Sequence, residues 1–151
     1  MPPIPVTPTP TVAAPGPTDR LVAHARRRTE SRMTSRVTIH RETYPDPPET
    51  DAAGFTVRSF TTIATDVPFR LASPRSTTGS RTLRVGDSEV EIATQEGHLP
   101  TWQTDLADRD LLRVTAGEHA GRWLRVVEAS AADQQTARRV PVVEDQKPEV
   151  L

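Results

Sequence analysis

The chain has 151 residues, a formal net charge of −1 at pH 7 and a hydrophobic fraction of 34 %. This length suits about one domain plus a tail, and the small apolar fraction predicts a thin core, as in a small barrel or an oligomer. With no cysteine and no run near the roughly 20 apolar residues that cross a bilayer, we expect no disulfide, thiolate metal site or membrane span. The N-terminus lacks a basic region followed by an apolar core, so we expect synthesis in a cytoplasm.

The first element is a proline-rich arm. Seven of the 15 prolines fall within residues 1–17. Proline fixes φ and removes a backbone donor, so this segment can form neither a helix nor a central strand. We expect an extended polyproline II arm, which is either a disordered tail or a segment that orders against a partner.

A helix is predicted over residues 18–33. Thr18 or Asp19 can cap its start, and an acid in the first turn suits the helix dipole. Helical spacing places a narrow apolar stripe on one side, formed by Leu21, Val22, Ala25, Thr29 and Met33. We therefore expect one side of this helix to pack on a domain while arginines project sideways.

The three consecutive arginines of this helix, Arg26, Arg27 and Arg28, suggest DNA binding at first sight. Helical geometry fans them over about 200°, however, so one side supplies two phosphate contacts at most. Glu30 follows one turn later and can pair with Arg26 or Arg27. Because guanidinium groups match carboxylates, an acidic protein surface is favoured over specific DNA recognition.

From Ser35 the hydrophobic pattern changes to period two. Short alternating segments follow, among them "RVTIHRETY", "DVPFRLA", "SEVEIATQ" and "TARRVPVVE". They predict about six antiparallel strands in a small β-barrel over residues 35–143, followed by a polar tail over residues 144–151. Two polar connections, residues 73–82 and 97–110, are predicted to be loops. The helical pattern occurs once, which argues against a parallel α/β architecture.

Charge is distributed unevenly along the chain. Residues 1–41 contain seven arginines and two acids, whereas residues 86–110 contain one arginine and seven acids. Regions of opposite charge favour stacking of the molecule on copies of itself or on complementary neighbours. Asp105, Asp108 and Asp110 lack the spacing and the glycine of a calcium loop, so we expect a solvated acidic loop there.

No pattern in the sequence indicates catalysis. None of the four histidines has a second ligand at a spacing that suits a metal, and no serine lies in a nucleophile elbow. The turn "GEHAG" joins two predicted strands and so differs from a phosphate-binding loop, which precedes a helix. We therefore expect neither an enzyme nor a bound cofactor.

Four segments together resemble a known family: "ARRRTESRMTSRVTIHR", "DVPFRLA", "RVTAGEHAGRWLRVVEA" and "QTARRVPV". They are similar to head-to-tail stopper (head-closure) proteins of long-tailed phages and prophages of GC-rich Gram-positive bacteria. The resemblance covers roughly residues 23–143, and its most specific parts are "RRRTESRM" and "TARR". It implies a six-stranded SH3-like barrel that forms a homo-oligomeric ring in the neck of the virion, assembled in the host cytoplasm.

In such a ring, a loop of each subunit projects into the channel and retains the packaged double-stranded DNA without reading its sequence. By position, the candidate loop is residues 73–82, and the alternative is Pro45–Gly54. The candidate channel residues are Ser73, Arg75, Ser76, Thr77, Thr78, Gly79, Ser80 and Arg81.

The leading hypothesis from the sequence is a stopper that joins the portal or adaptor ring above to the tail terminator or tail tube below. The ring has six or twelve copies. The alternatives are a tail terminator or another tail-completion protein, and a small DNA-binding module that uses the arginine helix. The candidate partner contacts are Arg26, Arg27, Arg28, Arg32, Arg138 and Arg139.

Overall fold

A computed structural model describes residues 14, 16–72, 79–85, 88–130 and 135–151. For residues 79–85 and 88–92 it describes the backbone alone. Within these ranges the chain forms one helix and seven strands. Their bounds are α1 (Pro17–Glu30), β1 (Ser35–Thr43), β2 (Ser59–Leu71), β3 (Gly79–Val85), β4 (Ser88–Leu99), β5 (Leu111–Ala116), β6 (Trp123–Val126) and β7 (Arg138–Asp145).

Six of the strands close into a ring. All pairings are antiparallel in the order β2-β1-β5-β6-β7-β4, and β4 returns to β2 through Arg70↔His98 and Leu71↔Gly97. The strand β3 pairs with β4 and extends this hairpin beyond the ring. The prediction of a mainly β, antiparallel fold of about six strands with an N-terminal helix is confirmed.

Alternation along the strands builds the core inside the ring. Val37 and Ile39 of β1 are fully buried, as are Val140 and Val142 of β7, because alternate side chains of a strand point to the same face. The core also contains Val67, Phe69, Leu99, Leu106, Leu112, Val114, Leu124 and Val126. This core is small but continuous around the ring.

One glycine permits a close approach between a strand and a core ring. A Cβ atom on Gly97 would lie 2.9 Å from Cε2 of Phe69, a fully buried ring. Because real Cβ atoms do not approach that closely, β4 carries a glycine where the aromatic ring crosses its backbone.

Several predicted boundaries differ from the structure. The helix begins at Pro17 and ends at Glu30, so Arg32 and Met33 lie beyond it. The segments around "FTVRSFTTI" and "DVPFRLA" form the single strand β2, which is irregular near Asp66, a residue with φ of 55°. The last strand continues to Asp145, into the segment predicted as a polar tail. Of the proline-rich arm over residues 1–17, residues 1–13 and 15 lie outside the described residues.

Candidate assembly surfaces

The helix α1 lies on the ring with a stripe of half-buried side chains. Val22, Ala25, Arg26, Thr29 and Glu30 are partly covered, and no residue of α1 is buried. The spacing i, i+3, i+4, i+7, i+8 is that of one helix face. The helix therefore packs through one face, as predicted, although this face contains more polar atoms than the predicted apolar stripe.

Two polar contacts attach this half-buried face of α1, its inner face, to the rest of the chain. Arg26 Nε donates to the carbonyl oxygen of Gln135 at 2.9 Å. The indole Nε1 of Trp102 lies 3.3 Å from both carboxylate oxygens of Glu30. Glu30 is therefore engaged by Trp102, so the prediction that it pairs with Arg26 or Arg27 is wrong. Leu21, which the predicted stripe placed inward, is 71 % exposed.

The opposite side of α1 forms a basic face, which we define as Arg20, Leu21, His24, Arg27 and Arg28. All five side chains are exposed, and helical geometry places them within about 120° of one another. None of the three arginines has an ion pair with the described part of the chain. The side of α1 that faces solvent is thus positively charged with one large apolar side chain among the charges.

Arg138 and Arg139, adjacent in β7, have opposite surroundings. The guanidinium of Arg138 donates to five backbone carbonyl oxygens, and the residue is 6 % exposed. Its prediction as a partner contact is wrong, because its donors hold the loops on either side of β7. Arg139 has a 64 % exposed side chain, 3.9 Å from Glu96, and Arg32 is also exposed.

The candidate channel loop lies mostly outside the described residues. Ser73, Arg75, Ser76, Thr77 and Thr78 fall in the undescribed part. Gly79, Ser80 and Arg81 belong to β3, whose backbone pairs with Thr94, Ala93 and Ile92 of β4. The prediction that these last three residues lie in a loop is therefore wrong, since each is paired within a ladder.

The alternative loop is a small hairpin at the end of β1. Asp51 Oδ1 accepts the backbone N–H groups of Ala53 and Phe55, both at 2.9 Å, and Thr50 pairs with Thr56. The backbone N–H of Asp51 in turn donates to the carbonyl of Phe55 at 2.8 Å. These bonds fix the hairpin and hold the Phe55 ring in solvent, 71 % exposed.

Beside this hairpin lies an acidic groove of about 670 Å³. We define it by six of its lining residues, which are Tyr44, Asp51, Phe55, Val57, Glu149 and Val150. Residues 44–57 contain three acids, Asp46, Glu49 and Asp51, and no basic residue. Four of the lining side chains are large, apolar and at least 36 % exposed. Acidic and apolar groups are therefore exposed together on this surface.

A network of ion pairs around Glu42 lies next to the groove. The carboxylate of Glu42, whose side chain is 7 % exposed, lies 3.3 Å from Arg58 Nη1, 3.6 Å from Arg125 Nη1 and 3.7 Å from Arg109 Nη2. Its partners come from three different parts of the chain. The end of β1 is thereby fixed to the segments that carry these arginines. Tyr44, which lines the groove, is the next residue after β1.

The aspartates of residues 105–110 are internal partners. Asp110 is 1 % exposed and accepts from Arg41 and from the backbone N–H of Ala107. Asp105 pairs with Arg41 at 2.9 Å, and Asp108 accepts the N–H of Ala129. The prediction of a solvated acidic loop is wrong for Asp110, which is buried, whereas Asp105 and Asp108 are exposed as predicted, each with a donor of the same chain. The exposed acids that the structure describes around the groove lie elsewhere, in residues 44–57 and at Glu149.

Within the described residues, no three histidine, aspartate or glutamate side chains are arranged to hold a metal ion. Over the same ranges, no helix has the length and apolar character needed to cross a membrane.

Comparison with known proteins gives one match. The model of a family of unknown function, DUF6093, matches residues 25–143. No curated protein matches the chain, and no solved structure matches it. The matched residues run from the second half of α1 into β7 and include five of the six ring strands in full and most of β7. The chain therefore belongs to the DUF6093 family.

Proposed function

We propose that this protein is a structural subunit of a phage neck, a head-to-tail stopper that forms a ring and continues the DNA channel from the portal or adaptor to the tail. Its role is mechanical: the ring retains packaged DNA and provides a docking surface for the tail. The protein acts as a virion component, assembled in the cytoplasm of the bacterial host.

One observation carries this proposal: the helix α1 contacts the rest of its own chain through one face only. Its basic face has three arginines without an ion pair in the described residues, and none of its side chains is buried. A face with three arginines unpaired within the described ranges and an exposed leucine is available to a neighbouring subunit. A subunit of an assembly completes such a surface when a neighbour binds, and binding then adds to the stability of the folded chain.

The resemblance of "RRRTESRM" and "TARR" to stopper proteins supports the more specific role. The closed ring of strands supports it too, because a small rigid subunit suits packing around an axis. The absence of a catalytic motif in the sequence is consistent with a structural role.

The test uses a phage genome that encodes this chain, with its gene deleted in frame. We expect heads that package DNA and then lose it, together with free tails, as seen by electron microscopy and by nuclease sensitivity of the DNA. A plasmid copy of the wild-type gene should restore joined particles. Full heads with overlong tails would instead identify a tail terminator. Normal infectious particles would overturn the proposal altogether.

A further inference from the structure

We propose that the acidic groove of one subunit binds the basic face of α1 from a second copy of this chain. This contact is the one through which copies of the chain associate. The proposal rests on the proposed function, because that function requires the ring that the contact builds.

The charges of the two surfaces are complementary. The basic face has three arginines, and the two acids of α1 do not neutralise them: Asp19 accepts the backbone N–H of Gly16, and Glu30 binds Trp102 on the inner side. The groove has Asp51 and Glu149 in its lining, with Asp46 and Glu49 in the adjoining hairpin. Guanidinium groups pair well with carboxylates, so opposed surfaces of this kind attract and orient each other.

The one basic residue among those that line the groove, Arg58, already pairs with an acid outside the lining. Arg58 Nη1 lies 3.3 Å from the nearly buried carboxylate of Glu42, and the Arg58 side chain is 51 % exposed. Asp46, Glu49 and Asp51 form no ion pair with the described part of the chain, although Asp51 accepts two backbone N–H groups of its own hairpin. Their charge is therefore available to a cationic partner.

Both surfaces also expose apolar side chains that a contact would cover. Leu21 is 71 % exposed on the basic face. Phe55, Val150 and Tyr44 of the groove are 71 %, 60 % and 50 % exposed. Burial of such side chains gives affinity that charge alone does not, and aromatic residues are common anchors of protein interfaces. The hydrogen bonds of Asp51 hold Phe55 in place before binding, so little order is lost there.

The fold prevents α1 from filling the groove of its own chain. The last turn of α1 lies at the beginning of β1, where Arg27, Glu30 and Ser31 border a cleft with Arg36 and Pro68. The groove follows the other end of β1, after Thr43. A nine-residue strand spans about 30 Å. When two different surfaces at opposite ends of a subunit bind each other, the contact is head-to-tail. Such a contact generates a closed ring when the rotation between neighbouring subunits brings the last copy back to the first.

A charge exchange tests this contact in the full-length protein. Variant A carries Arg27→Glu and Arg28→Glu, and variant B carries Glu49→Arg and Glu149→Arg. We expect the wild type to self-associate in sedimentation velocity and each variant alone to lose at least about tenfold in association constant. An equimolar mixture should associate again, because the reversed helix of A fits the reversed groove of B, and the unchanged helix of B fits the unchanged groove of A.

Matched variants separate this contact from a general effect of charge. Arg70→Glu and Glu118→Arg reverse exposed charges outside both surfaces and should associate like the wild type. All variants should keep the circular dichroism spectrum of the wild type, since the changed side chains are exposed. Phe55→Ala should weaken association without changing any charge.

Three results would overturn the contact. The first is a wild type that stays monomeric at protein concentrations up to about 1 mM, which excludes even a weak interface. The second is normal association of variants A and B, or mixing without recovery. The third concerns the proline-rich arm: if alanine at its five prolines before Thr11 abolishes association while A and B keep it, the arm of the second copy is the occupant.

The particle experiment distinguishes this contact from the proposed function. If A and B associate normally but particles without the protein still lose their DNA, the contact is wrong and the stopper role stands. If the charge exchange works and the deletion leaves normal particles, the contact is right and the stopper role is wrong.

Discussion

Arg41 and Asp110, 69 positions apart in the sequence, form a two-pronged ion pair. Arg41 Nε donates to Asp110 Oδ1 at 2.9 Å, and Nη2 donates to Oδ2 at 2.8 Å. These hydrogen bonds raise the pKa of Arg41 above its ordinary value. Asp110 precedes β5 and also accepts the N–H of Ala107. The pair therefore fixes the end of the long connection between β4 and β5 to β1.

Asp110→Asn should destabilise the protein by about 2 kcal/mol, because the amide cannot accept both guanidinium bonds and the Asp110 side chain is almost fully buried. Asp105→Asn is the matched change, since Asp105 binds the same arginine with a 64 % exposed side chain. It should cost less than about 1 kcal/mol. Urea unfolding of both variants measures the difference, and equal losses would contradict the buried role of Asp110.

The neighbouring arginines of β7 provide a second comparison. Arg138→Met should lower the free energy of unfolding by about 3 kcal/mol, because up to five carbonyl oxygens lose their donor in a buried site. Arg139→Met should change it by less than about 0.5 kcal/mol, as expected for an exposed position. The measurement is again urea unfolding. Similar values for the two variants would show that the carbonyl bonds of Arg138 contribute little.

The strands could be predicted from the sequence because their burial is a local property. Val37 and Ile39 alternate with other residues along β1, as do Val140 and Val142 along β7. This two-residue alternation alone identifies the side chains that face the core. The turn at Gly117 was also evident, because glycines flank it between two apolar segments. Such features need no knowledge of which strands become neighbours.

The roles of individual arginines could not be predicted in the same way. Arg26 turns inward because Gln135, distant in sequence, offers it a carbonyl oxygen. Arg138 is buried because two loops place their carbonyls around it. Neither partner has a sequence signal, since any residue has a backbone carbonyl. The acidic groove was missed for a related reason: Glu149 and the hairpin at Asp51 meet only in the folded chain.

Gly117 and Gly121 bound the turn between β5 and β6, and both have positive φ, 100° and 91°. A Cβ atom on Gly117 would lie 2.9 Å from the Cα atom of Ser35, whereas nothing lies within 4 Å of one on Gly121. Gly121→Ala should therefore cost about 1 kcal/mol from backbone strain alone. Gly117→Ala should cost roughly 2 kcal/mol more, because Ser35 begins β1 and must move. Thermal unfolding of the two variants measures this, and equal melting temperatures would contradict the close approach.

His40 should make stability depend on pH. It is 7 % exposed, stacks on Trp123, and its Nε2 atom has no hydrogen-bond partner among the residues that the structure describes. Burial, and next the positive charge of Arg113, lower its pKa from the ordinary value of 6.5. The unfolded chain therefore binds a proton at His40 more readily than the folded chain does, so stability falls as the pH drops below 6.5.

The variant His40→Phe should lose this part of the pH dependence while keeping the stacked ring. The free energy of unfolding, measured at about pH 7.5 and about pH 5.5, should fall less in the variant than in the wild type. His24→Phe is the control, because His24 is exposed and should leave the wild-type dependence unchanged. If the free energy of unfolding of His40→Phe falls with pH as much as that of the wild type, another group is responsible for the pH dependence.

Binding to DNA should be weak and independent of sequence. The basic face offers three arginines, Arg20, Arg27 and Arg28, and each phosphate contact contributes about −0.9 to the slope of log K against log salt. We therefore expect a slope no steeper than about −2.7 for a short duplex, with equal affinity for two unrelated sequences. Fluorescence anisotropy over a salt series measures both quantities. A much steeper slope that Arg27→Ala with Arg28→Ala abolishes, or a strong preference for one duplex, would favour a DNA-binding module over a connector. If the slope is shallow, these arginines remain free for the carboxylates of a neighbouring subunit, whose contact with them excludes phosphate from the same face.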